Sequence, residues 1–262
     1  MKNNLMARRE AVLGPNVPTF FENPVHLVKG EGVWVWDADG RKYLDCYNNV
    51  PHVGHCHPFV VAAIAAQAAI LNTHTRYLHD GIIDYAERLT AKFQPQLNQV
   101  IMVCSGSEAN DIALRMAQAM TGKTGIISTD NTYHGNTMAV SQLSSRKPPI
   151  GGYAANIRHV TAPDTLRPVG GNTAGQAEAF AREIQIAIDD LEASGHGFSG
   201  FLFCPTFANE GLPNLPQDFM QPAAKVIHAA GGILIADEVQ PGFGRSGDTW
   251  WGHTWLSPPC QA

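Results

Sequence analysis

The chain has 262 residues, 44% hydrophobic and 16% charged, with a net charge of −5 before histidine is counted. It is too apolar for a disordered segment and long enough to bury one large core or two modest ones, and without a basic cluster it is not expected to track nucleic acid. No apolar run reaches the about 18 residues that cross a bilayer, and the start, MKNNLMARRE, lacks the apolar core of a secretion signal, so neither a membrane nor an exported protein is expected.

Taken in chain order, Val25 to Leu44 alternate apolar and polar around the turn clusters Gly30-Glu31-Gly32 and Asp37-Ala38-Asp39-Gly40, which predicts a short antiparallel meander. A loop rich in His, Pro and Gly follows, and Pro58 sits at the first turn of an alanine-rich helix predicted to run to Leu71. Helical spacing then marks 82–93, 108–120, 174–193 and 218–230. Short apolar runs at 99–104, 124–128, 200–204 and 232–236 predict buried strands. Strands that alternate with helices and are apolar throughout imply an α/β protein, a mostly parallel sheet with helices on both faces. The Pro- and Gly-rich stretch 146–175 reads as a long surface excursion. Five cysteines, Cys46, Cys56, Cys104, Cys204 and Cys260, are odd in number and scattered, which fits reduced thiols and a cytoplasmic protein.

Ligands of open α/β sheets bind beyond the carboxyl ends of the strands, so the residues after each predicted strand are the ones to inspect. After Val100 to Cys104 comes Ser105-Gly106-Ser107-Glu108-Ala109-Asn110 and then a helix, where a glycine flanked by hydroxyls and the unpaired amides of a helix start suit a phosphate. An ordinary serine cap is the other reading. After Gly232 to Ala236 comes Asp237-Glu238-Val239-Gln240. A carboxylate there can keep a heterocyclic nitrogen protonated, making the ring an electron sink, or it can cap the loop through backbone amides. After Gly125 to Ser128, the aromatic pair Tyr133-His134 could stack on a planar ring or serve as packing.

The runs SGSEANDIALRMA, TYHGNT, ILIADEVQPGFGRSG and YLDCYNNVPHVGHCHP resemble the class III aminotransferases, pyridoxal-phosphate enzymes of fold type I, from about Phe21 to about Trp255. NNVPHVGHCHP together with RYLHD is most similar to the branch that holds alanine–glyoxylate aminotransferase-like proteins and amino-alcohol phosphate phospho-lyases. The resemblance implies a fold type I large domain, incomplete here, over 58–262. Residues 1–57 would supply the meander of the small domain and an entrance loop. It implies that Ser105, Gly106 and Ser107 hold the cofactor phosphate and that Tyr133 stacks on the ring with His134 beside it. Asp237, the catalytic residue, would pair with the pyridinium nitrogen, Val239 would pack on the opposite ring face, and Gln240 would reach the ring hydroxyl. The implied reaction is transfer of an amino group from an amine or amino acid to a 2-oxo acid, in a homodimer. The rivals are phosphate elimination from an amino-alcohol phosphate and a non-catalytic fragment.

The chain also departs from that pattern. The family's Schiff-base lysine follows the Asp-Glu-Val-Gln segment by a few tens of residues, whereas the last lysine here is Lys225, and 257–262 no longer resemble the family. A truncated or frame-shifted product, inactive alone, is the expectation. Where the family has an acidic residue before the proline of a strand end, this chain has Cys204-Pro205, and Glu210 is a candidate to compensate. His52, His55 and His57 with Cys56 could suggest a metal site, but no second ligand cluster of suitable spacing accompanies them, and no metal is expected.

Overall fold

A computed structural model describes residues 2–48, 50–146, 148–247 and 249–256. Cys260, among the scattered cysteines, lies outside them. The chain divides into two compact units, Met1–His79 and Asp80–Ala262.

The first unit holds helix α1 (Lys2–Leu13), which the sequence reading did not anticipate, then β1 (Leu27–Glu31), β2 (Trp34–Asp37), β3 (Lys42–Leu44) and α2 (Pro58–Ala68). The three strands form the predicted antiparallel meander in sequence order. Its second turn is built by Asp37, whose Oδ1 accepts the amides of Asp39 at 3.0 Å and Arg41 at 2.9 Å while Oδ2 accepts the Tyr43 hydroxyl at 2.7 Å. The histidine-rich loop is tied down in the same way. Asp45 accepts the amides of Tyr47 and Asn48, the Asn48 side chain, and His55 Nε2 at 2.7 Å. His55 is therefore engaged by a carboxylate, and the described residues contain no group of three or more metal-ligating side chains.

The Asn48 amide, then His55 and the Asn48 side chain, hold the Asp45 carboxyl well below the usual carboxylate range. A carboxyl depressed in the folded state stabilises the fold above the unfolded value, near 3.9, and loses that contribution as pH falls further. The denaturant midpoint of the parent is expected to fall more steeply below about pH 4 than that of Asp45→Asn, as urea titrations across that range would read.

The second unit runs α3 (Asp80–Thr90), α4 (Gly106–Thr121), β4 (Gly125–Thr129), α5 (Met138–Ser141), β5 (Ile157–Val160), α6 (Gln176–Ala193), β6 (Phe198–Phe203), α7 (Gln221–Ala229), β7 (Ile233–Ala236) and α8 (His253–Leu256). Its sheet has the order β5-β4-β6-β7, every pair parallel. Successive side chains on a strand face opposite ways. Ile127, Phe201 and Phe203 thus join Phe180, Ile184, Ile188 and Leu191 of α6 and Ala223 and Ile227 of α7 in the larger core. Ile126 and Leu202 turn to the other face, against Leu114 of α4 with Val140 and Leu143. Burial on both faces is why β4 and β6 read as continuous apolar runs.

Two expectations fail. The run 99–104 forms no strand, and Ile101 and Met102 are exposed, because an apolar run becomes a strand only beside a partner. β7 ladders with β6 on one edge and with no other strand among the described residues. Conversely, the supposed excursion 146–175 contains β5, an edge strand disguised by Arg158 and His159 at its centre. Arg158 reaches Asp190 on α6 through its guanidinium, so a charged residue sits in a strand without being buried alone. Among the described residues no helix is long and apolar enough to cross a membrane.

Candidate active site

The start of α4 is capped reciprocally. Ser105, extended at φ −158°, accepts the Glu108 amide on Oγ at 3.2 Å, and the Glu108 carboxylate reaches back to accept the Cys104 amide at 2.9 Å. The serine-cap reading is thus realised, and it leaves the amides of Gly106 and Ser107 without an acceptor among the described residues. Such amides at the positive end of a helix are an anion site. Ser107 Oγ accepts the Asn136 amide at 3.1 Å, so its hydroxyl hydrogen is still available to donate. Gly135 makes that contact possible: its φ is +138°, and a Cβ there would lie 2.5 Å from Ser107 Oγ. Tyr133 is half-exposed, its hydroxyl accepting the Asn136 side-chain amide at 2.9 Å.

Asp237 follows β7 and is buried. Its Oδ2 accepts two donors, Asn110 Nδ2 at 2.9 Å and His134 Nδ1 at 2.8 Å, and its Oδ1 accepts the Val239 amide at 3.1 Å. His134 Nε2 lies 3.0 Å from Thr132 Oγ1. The His134 side chain has no exposed surface, so of the aromatic pair only Tyr133 offers a ring face. Val239 returns toward α4, where a Cβ on Gly106 would fall 2.6 Å from its Cγ2. Gln240, half-buried, is next on the same turn.

The structure thus joins the helix start to Asp237 twice, through the Gly106–Val239 contact and through Asn110, one helical turn on. Four residues of helix cover about 6 Å, a span that suits a ring nitrogen at one end and a phosphate ester at the other. The donor set also suits pyridoxal phosphate: unpaired amides and a hydroxyl for the phosphate, an exposed aromatic and a valine for the ring faces, and a buried carboxylate for the nitrogen. Sequence reasoning missed Asn110 and Thr132. Asn110 was detectable, since it lies on the buried stripe of α4 with Leu114 and Ala117, where a polar residue needs a partner.

Glu210 does not stand in beside Asp237. Its Oε1 accepts the Thr129 hydroxyl at 2.7 Å, and Thr129 shares the sheet face of Ile127, whereas the Asp237 network lies on the α4 side. Cys204 is buried, with its thiol pushed up by that burial and Sγ 3.4 Å from Thr206 Oγ1. Glu238, beside Asp237, accepts the amides of Gly252 and His253 and the His253 ring, a loop anchor in place of a ligand contact.

Comparison with known proteins gives a consistent family. The family described as aminotransferase class-III matches residues 19–260. The chain is 36% identical over 261 residues to an alanine–glyoxylate aminotransferase 2-like protein of Drosophila melanogaster, covering 95% of this chain and 52% of that one. Among solved structures, a phospholyase from Arthrobacter in complex with phosphoethanolamine is 42% identical with a TM-score of 0.91, covering 98% of this chain and 60% of that chain. An amine transaminase from an uncultivated Pseudomonas species, in its PLP-bound form, is 25% identical with a TM-score of 0.77, covering 93% and 59%. The chain thus spans about half the length of the curated relatives it matches. With its sheet, its capped helix start and its strand-end aspartate all in one ordered match, the chain belongs to the class III aminotransferases, whose enzymes use pyridoxal phosphate.

Proposed function

We propose that these residues form the cofactor-binding part of an enzyme that transfers an amino group from a small amine or amino acid to a 2-oxo acid. The observation that carries the reading is the junction of the α4 start with Asp237 through Asn110 and Val239. The amides of Gly106 and Ser107 and the Ser107 hydroxyl bind the phosphate. Tyr133 and Val239 cover the two ring faces. Asp237 holds a proton at the ring nitrogen, and Gln240 bonds the ring hydroxyl. When bound, pyridoxal phosphate supplies the electron sink for the pair left at an amine-bearing carbon. No lysine follows Lys225 in the 262 residues, so the amine that bonds the cofactor and moves the substrate proton is not assigned to them. A cytoplasmic setting and a homodimer belong to the same reading; exposed thiols at Cys46, Cys56 and Cys104 support the first.

The test is titration with pyridoxal phosphate, followed by tryptophan fluorescence, with borohydride reduction and peptide mapping. Saturable binding without a reduced adduct on a site lysine supports the reading; no binding overturns it. Gly106→Ala is expected to weaken that binding about tenfold. Alanine suits the first turn of a helix, so the melting temperature stays within a few degrees while the added methyl displaces Val239. Adding Val239→Ala to the same chain is expected to recover part of the lost affinity.

A second reading, phosphate elimination from an amino-alcohol phosphate, is favoured by the 42% identity to the Arthrobacter phospholyase. Calorimetry on the cofactor-loaded chain separates the two. Tighter binding of phosphoethanolamine than of L-alanine supports elimination, and the reverse supports transfer.

A further inference from the structure

We propose that Asn110 and His134 are positioning residues which jointly occupy one oxygen of Asp237 and reserve the other for the ring nitrogen of the cofactor; this rests on the reading of Asp237 given above. A carboxylate oxygen has two lone pairs, and both on Oδ2 are taken, by Asn110 Nδ2 at 2.9 Å and His134 Nδ1 at 2.8 Å. Among the described residues Oδ1 accepts only the Val239 amide, at 3.1 Å, which leaves one lone pair for another donor. The direction of the His134 bond is fixed. A carboxylate can only accept, so Nδ1 carries the hydrogen, and Thr132 Oγ1, 3.0 Å from Nε2, holds the far side of the ring.

Asn110 does more than fill a lone pair. Its amide also donates to the backbone carbonyl of His134 at 2.8 Å, so one side chain ties α4 to the loop after β4 and to the end of β7. Both residues are buried, Asn110 with 6% of its surface exposed and the His134 side chain with none. Buried amides persist where every hydrogen has an acceptor, and here both acceptors belong to the site. The carboxylate is thereby set in one orientation before any ligand arrives, which lowers the ordering cost of binding.

The experiment compares pyridoxine 5′-phosphate, which has no aldehyde and cannot bond a lysine, with inorganic phosphate, both by calorimetry on the ligand-free chain. Asn110→Leu is expected to weaken pyridoxine phosphate about tenfold and to leave inorganic phosphate unchanged. In an Asp237→Asn background the same substitution is expected to cost nothing further, since Asn110 acts through that carboxylate. Equal loss of both ligands, or no loss of either, overturns the proposal. Should Asn110→Leu fail to fold, Asn110→Ser, which stays polar but is too short and has too few hydrogens to bond both Asp237 and the His134 carbonyl, is held to the same selective loss.

Proton NMR of the parent adds a test that needs no ligand. The Nδ1 proton of His134, assigned by its disappearance in His134→Gln, is expected to resist solvent exchange and to lose that protection in Asn110→Ser. A rapidly exchanging proton in the parent overturns the inference. If the parent binds neither ligand, the cofactor reading fails, while the NMR result still decides whether Asn110 and His134 hold Asp237.

Discussion

Asp237→Ala is expected to weaken pyridoxal-phosphate binding by at least about thirtyfold, which corresponds to about 2 kcal/mol for a charged hydrogen bond lost to the ligand. The loss has two sources. The ring nitrogen loses its acceptor, and the buried donors of Asn110 and His134, which share Oδ2, are left without one. An unsatisfied buried donor costs about 1–3 kcal/mol, so the variant is also expected to melt at lower temperature. Asp237→Asn retains an oxygen with two lone pairs that can accept both donors, but its amide nitrogen then meets the Val239 N–H and it has no charge for the ring nitrogen. It should therefore recover part of the stability and little of the affinity. Parallel fluorescence titrations and thermal melts of the two variants read both effects.

Phe180→Ala is expected to destabilise the second unit by about 3–5 kcal/mol. Phe180 on α6 is fully buried, with its ring centroid 6.1 Å from Phe201 of β6, 6.3 Å from Phe207 and 5.7 Å from Phe219. Truncation opens a cavity among three buried rings, one on strand β6 and two in the segment between β6 and α7, and little can collapse into it. Domain stabilities of about 5–15 kcal/mol make this a large fraction of the total. A urea midpoint that falls with an unchanged slope would show that the loss is one of packing.

What the sequence disclosed followed from burial. The runs that became β4, β6 and β7 are apolar because both faces of that sheet are covered, and Asp237, the residue after β7, lies at the strand end where a site was expected. β5 stayed hidden because an edge strand tolerates Arg158, whose guanidinium leaves the sheet to meet Asp190. The run 99–104 was over-read for the opposite reason: hydrophobicity records a demand for burial and says nothing of which strand meets it. At the site, Asp237 was legible from its position after a strand. Its partners were not, because Asn110 lies on a helix and Thr132 in a loop, and the contact joining Asn110 to Asp237 spans 127 positions of sequence. His134 was legible as a site residue but not in its role, since an imidazole next to a tyrosine reads equally well as a ring face and as a hydrogen-bond partner.

The most direct measurement is a crystal structure of this chain grown with pyridoxal phosphate. The phosphate is expected within hydrogen-bond distance of the Gly106 and Ser107 amides, with the ring nitrogen of the same molecule within hydrogen-bond distance of Asp237. A phosphate seated at the α4 start while its ring points away from Asp237, or a cofactor held only at a surface lysine, would contradict the account.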